Sequence, residues 1–379
     1  MMLDYVTLKV IWFILMAILL SGFAIMGGSD MGVSVLLPII GKKDEDRRVL
    51  INTIGPMWEG NQVWLILAGG AIFAAWPVVY ATAFSGLYYA LLLVLLALII
   101  RPPGIDYRSK IDNLKWRKLW DGCLFLSGFV PALIFGVGVG NLFIGMPFYF
   151  DVTAMPYYTG TFFGLLNPFS LLVGLVSLCL LCTQGALFIQ AKTQNELQER
   201  ARKFARIFGL LFLACFVLAG FIVHKILLGY QIVSIGDVNT ALAVPAKTVE
   251  RAIGAWGHNY QQMPYLWLVP GATLFLLCLS LLLSSFNHAK TAVFTHSLAI
   301  LGTVATAASA LFPFVMPSSR ILSHSLTIWD VVSSHVTLQW MFLVGIILLP
   351  IILLYTTWAL RVFRGPIRAE TVKANPDSY

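Results

Sequence analysis

Four ionisable side chains stand inside or against long apolar runs: Asp30, Glu59, Arg101 and Asp106. A charge at membrane depth is costly, so each marks a functional site unless a partner explains it. Two chemistries suit the set. Asp30 and Arg101 can form an ion pair that locks two helices. Glu59, with Asp106 close by in depth, can take a proton from water and pass it inward, because a carboxylate withdrawn from water holds its proton more tightly and suits a relay. Asn61 and Gln62 follow Glu59 and carry amides able to hold water or a backbone group in the first turn of a helix.

Other chemistries fit less well. A haem held by this chain needs two ligands on facing helices at one depth. By position only His224 and His335 meet that condition. His296 lies near the other end of its segment, and His258, His288 and His324 fall in connections. The five cysteines (123, 179, 182, 215 and 278) lie in or beside apolar stretches and give neither a disulfide framework nor a zinc pattern. Cys179-Leu-Leu-Cys182 has redox spacing but lies mid-segment, where both read as small apolar side chains. No phosphate loop, dinucleotide fingerprint, His-Glu-x-x-His or nucleophile elbow occurs. The chain alone offers no catalytic constellation.

The elements that position these residues follow from composition. Of 379 residues, 59% are hydrophobic and 11% charged, and the mean hydropathy is +0.85. Soluble domains carry about 25% charged residues. This excludes an ordinary soluble protein, a disordered chain and a nucleic-acid-binding domain. A spanning helix needs about 20 apolar residues. Nine segments qualify, at roughly 9–40, 61–79, 81–100, 122–145, 163–190, 205–228, 264–285, 291–313 and 336–360. The first is too long for one straight span, and Gly27-Gly28 and Pro38 suggest a bend. The second and third are divided by a tight turn at Trp76-Pro77. The reading is an all-α integral membrane protein forming a single transmembrane domain over 1–379.

The +8 charge supports that count. Twenty of the 25 Lys and Arg fall in stretches 41–60, 101–121, 191–206, at Lys290 and in the tail 361–379. All lie on one side if nine segments alternate. Positive-inside then puts the N-terminus outside and the tail in the cytoplasm. The long loop 229–263 and the loop 314–335 face outside. Met1–Val10, with Asp4 and Lys9, does not read as a cleavable signal. Asp30 lies about 30 Å into the first segment at 1.5 Å per residue, near the cytoplasmic edge. Glu59, Arg101 and Asp106 fall at the same level. Trp58 and Trp76 fit interface belts, and Trp64 lies deeper.

The residues also carry a resemblance. Trp58-Glu-Gly-Asn-Gln-Val-Trp64, Ala68-Gly-Gly-Ala71, Phe73-Ala-Ala-Trp-Pro77 and Ala83-Phe-Ser-Gly86 are similar to subunit II of cytochrome bd-type quinol oxidases. So are Asp30-Met-Gly32, Arg101-Pro102, Asp106-Tyr-Arg108, Leu311-Phe-Pro-Phe-Val-Met-Pro-Ser-Ser319, Leu326-Thr-Ile-Trp-Asp330 and Pro350-Ile-Ile-Leu-Leu-Tyr355. The likeness spans essentially the whole chain.

That resemblance implies two four-helix bundles plus one peripheral helix, in a bacterial inner membrane. It implies a larger partner, subunit I, which carries haem b and haem d and the quinol loop. The complex oxidises quinol at the outer face and reduces oxygen to water with cytoplasmic protons, building proton-motive force without pumping. Subunit II is then a haem-free scaffold. A small single-helix subunit and a structural quinone are further partners of the family, alongside membrane lipid. By position Asp30 and Arg101 match a pair needed for haem retention, Glu59 the acid of a proposed proton route, and Trp64 a residue lining a proposed oxygen route.

Two departures stand out. Many members read Thr-Asp-Gly-Phe-Asp before Met-Gly, where this chain has Met26-Gly-Gly-Ser-Asp30; and the usual His before Trp58 is Met57. The competing functions are a secondary transporter, disfavoured by the one-sided charge cluster and the lack of a repeat, and a purely structural assembly factor.

Overall fold

The computed structural model describes residues 3–240, 246–363, 365–367, 370 and 372. Most of the tail 361–379 therefore lies outside the described residues. The long helix α1 (Tyr5–Ile40) is followed by α2 (Asp44–Ile54), α3 (Trp58–Ala75), α4 (Pro77–Gly86), α5 (Tyr88–Ile99), α6 (Arg101–Tyr107) and α7 (Leu114–Ile144). A small hairpin, β1 (Phe148–Phe150) and β2 (Pro156–Tyr158), leads to α8 (Pro168–Lys192) and α9 (Asn195–Lys225). The hairpin β3 (Leu228–Ile235) and β4 (Lys247–Ile253) and the short α10 (His258–Gln262) precede α11 (Leu268–Ser285) and α12 (Ala289–Leu311). Then come β5 (Phe314–Met316), β6 (Leu326–Thr327) and α13 (His335–Val362). All three sheets are two-stranded and antiparallel.

Helix starts follow side-chain grammar. Asp4, Asn113, Asn167 and Ser334 each accept a hydrogen bond from a first-turn amide, satisfying donors that a helix leaves open. α1 is one unbroken helix despite Gly27-Gly28, and Pro38 falls in its last turn, where little of the helix is left to break. At 1.5 Å per residue it is about 54 Å long, so both ends project beyond the hydrocarbon.

Among the described residues, eight helices are long and apolar enough to cross a membrane, or nine if the bent pair α3–α4 counts as one span. Contacts choose between these numbers. The N-terminal face gathers Tyr5 with Ser333, Lys9 with the β3–β4 connection, and Met146 with Pro317. The opposite, basic face gathers Asp44 with Arg108, Asp46 with Arg200, and Lys192 with Phe363. The chain thus starts at one face and leaves α13 at the other, which requires an odd number of crossings. α3 supplies the ninth, since α2 sits at the basic face and Ala75 meets Ser333 at the other.

One expectation is corrected here. The segment expected at 81–100 crosses at 88–107 instead. Between it and α3 lies α4, turned 120° from α3. Trp76 (φ −132°, ψ 71°) breaks the helix, and Pro77, whose fixed φ suits a first turn, starts the next. α5 ends at Ile99, and Pro102-Pro103 lie in the first turn of α6.

The long excursion 229–263 is pinned to α1. The ammonium of Lys9, fully buried, donates to the carbonyls of Val238, Thr240 and Trp329 at 2.9, 2.9 and 3.0 Å. Lys247 at the start of β4 donates to Asp330, whose other oxygen accepts from the Thr327 backbone and hydroxyl at 2.7 and 2.8 Å. Burial pushes the Asp330 carboxyl up and the Lys247 ammonium down, and each charge opposes the other's shift. Breaking such a buried pair from one side leaves a lone charge and costs about 3–5 kcal/mol, whereas removing both charges is far milder. Lys247→Met should therefore lower the thermal midpoint of the solubilised protein clearly. Adding Asp330→Asn, which keeps an acceptor for Thr327, should restore more than half of the loss. A double variant as unstable as the single would refute the pairing.

Candidate functional site

The site forms where α1 is most tightly gripped. From Gly27 to Leu37 every residue of α1 is buried. Small residues make this possible. A Cβ on Gly32 would stand 2.1 Å from the Leu181 carbonyl oxygen, and one on Gly185 would stand 2.4 Å from the Gly32 carbonyl carbon, so α1 and α8 cross backbone to backbone. A Cβ on Gly128 of α7 would lie 2.4 Å from the Met31 carbonyl oxygen. Asp30 is thus held between α7 and α8.

Asp30 faces α3. Its two carboxylate oxygens accept from the Asn61 side-chain amide at 3.1 and 3.0 Å. Arg101, at the start of α6, is as buried as Asp30, both at 1% exposure. Its Nη2 donates to the Ser127 carbonyl at 2.7 Å. The reason lies four residues further along α7: Pro131 has no N–H, so the Ser127 carbonyl lacks its helical donor and takes the guanidinium instead. Each charge acts on the other through space. The expected direct ion pair is nonetheless absent, for no Asp30–Arg101 contact within 4 Å occurs among the described residues. The pair is held open because Asn61 and Ser127 hold its two ends.

The other expected residues lie around this core. Glu59, in the first turn of α3, and Asp106, on α6, are exposed on the surface of the chain. Neither is brought into contact with Asp30 or Arg101. A carboxylate at a helix N-terminus is favourably placed against the helix dipole. Trp64 is buried, and its ring fills the notch of Gly22, where a Cβ would stand 2.3 Å from it.

His224 and His335 do not form a facing pair. The first packs at 5.6 Å against Trp267, and the second bonds the Leu3 carbonyl at 2.7 Å beside Tyr5. No group of three His, Cys, Asp or Glu able to hold a metal occurs among the described residues.

Two polar clusters escaped the sequence reasoning. At the basic face the fully buried Arg108 donates to Asp121 at 2.6 and 3.2 Å and to Asp44 at 2.8 Å, while Arg47 reaches Asp121 at 2.6 Å and Arg117 reaches Asp44 at 3.0 Å. Burial opposes the Arg108 charge, but hydrogen bonds and the charges of Asp121 and Asp44 outweigh it and push the guanidinium above its usual value. This network ties α2 and α7 to the end of α6. In the sequence these arginines read as topology signals, and Arg108 also as part of the family resemblance, while Asp121 draws no notice beside them.

The second cluster lies on the other side of α1. His296 Nδ1 is 2.8 Å from Gln184 Oε1, and the Gln184 amide donates to Ser297 at 3.2 Å and meets Ser29 at 3.5 Å. Because the Gln184 nitrogen serves two hydroxyls, its oxygen faces the imidazole, and Nδ1 carries the proton. Gln184 alone, a polar residue mid-way along an apolar segment, could have signalled it.

A many-spanning helical membrane protein with a charged level near its basic face is thus defined by fold and site. Residues 8–363 match the model of the family described as cytochrome bd terminal oxidase subunit II, and the chain belongs to that family. It is 47% identical over 377 residues, the full length of both chains, to cytochrome bd-I ubiquinol oxidase subunit 2 of Escherichia coli (strain K12). It is 35% identical over 359 residues to cytochrome bd ubiquinol oxidase subunit 2 of Bacillus subtilis (strain 168), covering 93% of this chain and 95% of the relative. A solved chain in the structure of bd oxidase from Geobacillus thermodenitrificans shares the fold, with a TM-score of 0.69 over 95% of this chain and 98% of that one, at 13% identity.

Proposed function

We propose that this chain is the haem-free scaffold of a quinol oxidase complex. Its partner is subunit I, which ligates haem b and haem d and oxidises quinol at the outer face. Oxygen is reduced to water with protons from the cytoplasm, and proton-motive force results. The N-terminal face is outside a bacterial inner membrane and the basic face is cytoplasmic. The helices form two four-helix bundles with α13 peripheral, in keeping with its single buried residue, Leu338. Structural quinone, lipid and a small single-helix subunit complete the assembly.

The observation that carries this reading is the buried level of Asp30, Asn61 and Arg101 in a chain that is family-like over its whole length. Asp30 and Arg101 are sealed inside this chain, so their part in haem retention is indirect. They fix α1, α3, α6 and α7, and those helices present a surface to subunit I. Trp64 is buried beside Gly22 in the same α1–α3 contact and lines the oxygen route at the point where the two helices meet.

Glu59 and Asp106 serve the proton route. Both are exposed on the isolated chain, which suits groups that exchange protons with water or with a partner's surface. Glu59→Gln keeps the shape and removes the titrating oxygen. Oxygen consumption with quinol should fall several-fold while the haem spectrum stays intact. An unchanged rate would remove Glu59 from the route and favour a purely structural role.

A further inference from the structure

We infer that the gap between Asp30 and Arg101 is a hydration site, in which ordered water bonds Arg101 Nε and Nη1 on one side and the Asp30 carboxyl on the other. Both ends of the pair are committed elsewhere: Nη2 to the Ser127 carbonyl at 2.7 Å, and the carboxylate to Asn61 at 3.1 and 3.0 Å. Closing the pair directly would break one of these bonds. Yet Nε and Nη1 of Arg101 are buried with no protein partner. A buried guanidinium with two open donors is among the most costly arrangements an interior can hold, unless something polar completes it.

A further group able to bond water stands close by on α1. Ser34 stands one turn beyond Asp30 on α1, against Gly128 of α7 and therefore beside Ser127. Its hydroxyl is likewise buried and without a partner. Pro38, four residues on, deprives the Ser34 carbonyl of its helical donor. A buried water makes about three hydrogen bonds. Two open guanidinium donors on Arg101 and an unpartnered hydroxyl on Ser34 are thus buried on either side of the Ser127–Gly128 turn of α7, beside the Asp30 carboxylate. Toward the N-terminal face the α1 side is filled by aromatic rings. The Phe23 ring lies where a side chain on Gly27 would begin, 2.7 Å from that Cβ position, and stacks edge-on with Phe135 at 5.4 Å. The site is sealed from solvent, with Asp30 and Arg101 each 1% exposed, and it stands whether or not Glu59 carries protons.

Two measurements on the intact complex test it. A map sharp enough to show ordered water should place density within hydrogen-bonding distance of Arg101 Nε or Nη1 and of Asp30. Infrared difference spectra should show water O–H bands that shift in heavy-oxygen water. Ser34→Ala, a mild change on a helix, should lose the part of that density at Oγ. An Asp30 oxygen resting directly on Arg101 Nε or Nη1, or an empty gap with no exchangeable water band, would overturn the inference.

Discussion

Gly185→Leu is expected to abolish recovery of the assembled oxidase. The reason is distance. A Cβ at Gly185 would stand 2.4 Å from the Gly32 carbonyl carbon and 2.5 Å from the Val33 nitrogen, all backbone atoms that cannot rotate away. α1 and α8 must then separate along the crossing. Overpacking a well-fitted core costs about 1–3 kcal/mol, occasionally more, and here the strain falls on the turn that carries Asp30. Gly220→Ala provides the control, because nothing lies within 4 Å of its Cβ position. Co-purification of a haem-bearing partner should be lost in the first variant and kept in the second. A full-haem complex at native yield from Gly185→Leu would show that the crossing does not hold the site.

Arg101→Ala should lose haem or the partner subunit during purification. The substitution leaves the Asp30 carboxylate without its nearby cation and the Ser127 carbonyl without a donor, in a region sealed from solvent. Removing one member of a buried charged pair costs about 3–5 kcal/mol. Arg101→Lys should rescue only in part, since an ammonium returns the charge but not the planar fork. Pro131→Ala offers a sharper test. It restores an N–H that can bond Ser127, so Arg101→Ala should do less damage in that background. Equal haem-to-protein ratios in the two backgrounds would mean that Arg101 is not held by the proline-freed carbonyl. A full-haem complex from Arg101→Ala alone would contradict the anchoring role.

The spans were legible in the sequence because apolar length and basic alternation are additive signals. Their boundaries hold within a few residues for α8, α11, α12 and α13. The stretch around Pro77 misled because hydropathy cannot tell a turn from a helix lying across the end of a span, and α4 is nearly as apolar as α3. Depth arithmetic grouped Asp30 with Arg101 correctly, since one residue is one fixed rise along a helix. It could not show that they fail to touch. That outcome depends on Pro131, which opens a carbonyl on a third helix, and on Asn61, which covers the carboxylate. The Arg108–Asp121–Asp44 network was hidden for a similar reason: pairing across helices needs azimuth as well as depth. His296 was weighed only as a haem ligand, and its partner Gln184 carries no charge to draw notice.

The central claim is that this chain is the haem-free subunit of a quinol oxidase. It is tested most directly by a reduced-minus-oxidised optical spectrum of the gently solubilised, affinity-tagged complex, with the co-purifying chains identified. Haem b and haem d bands that follow a second large membrane subunit, and disappear from the tagged chain when that subunit is stripped away, are the expected result. A tagged chain that purifies alone in good yield without haem bands, or one that keeps them after its partner is removed, would contradict it.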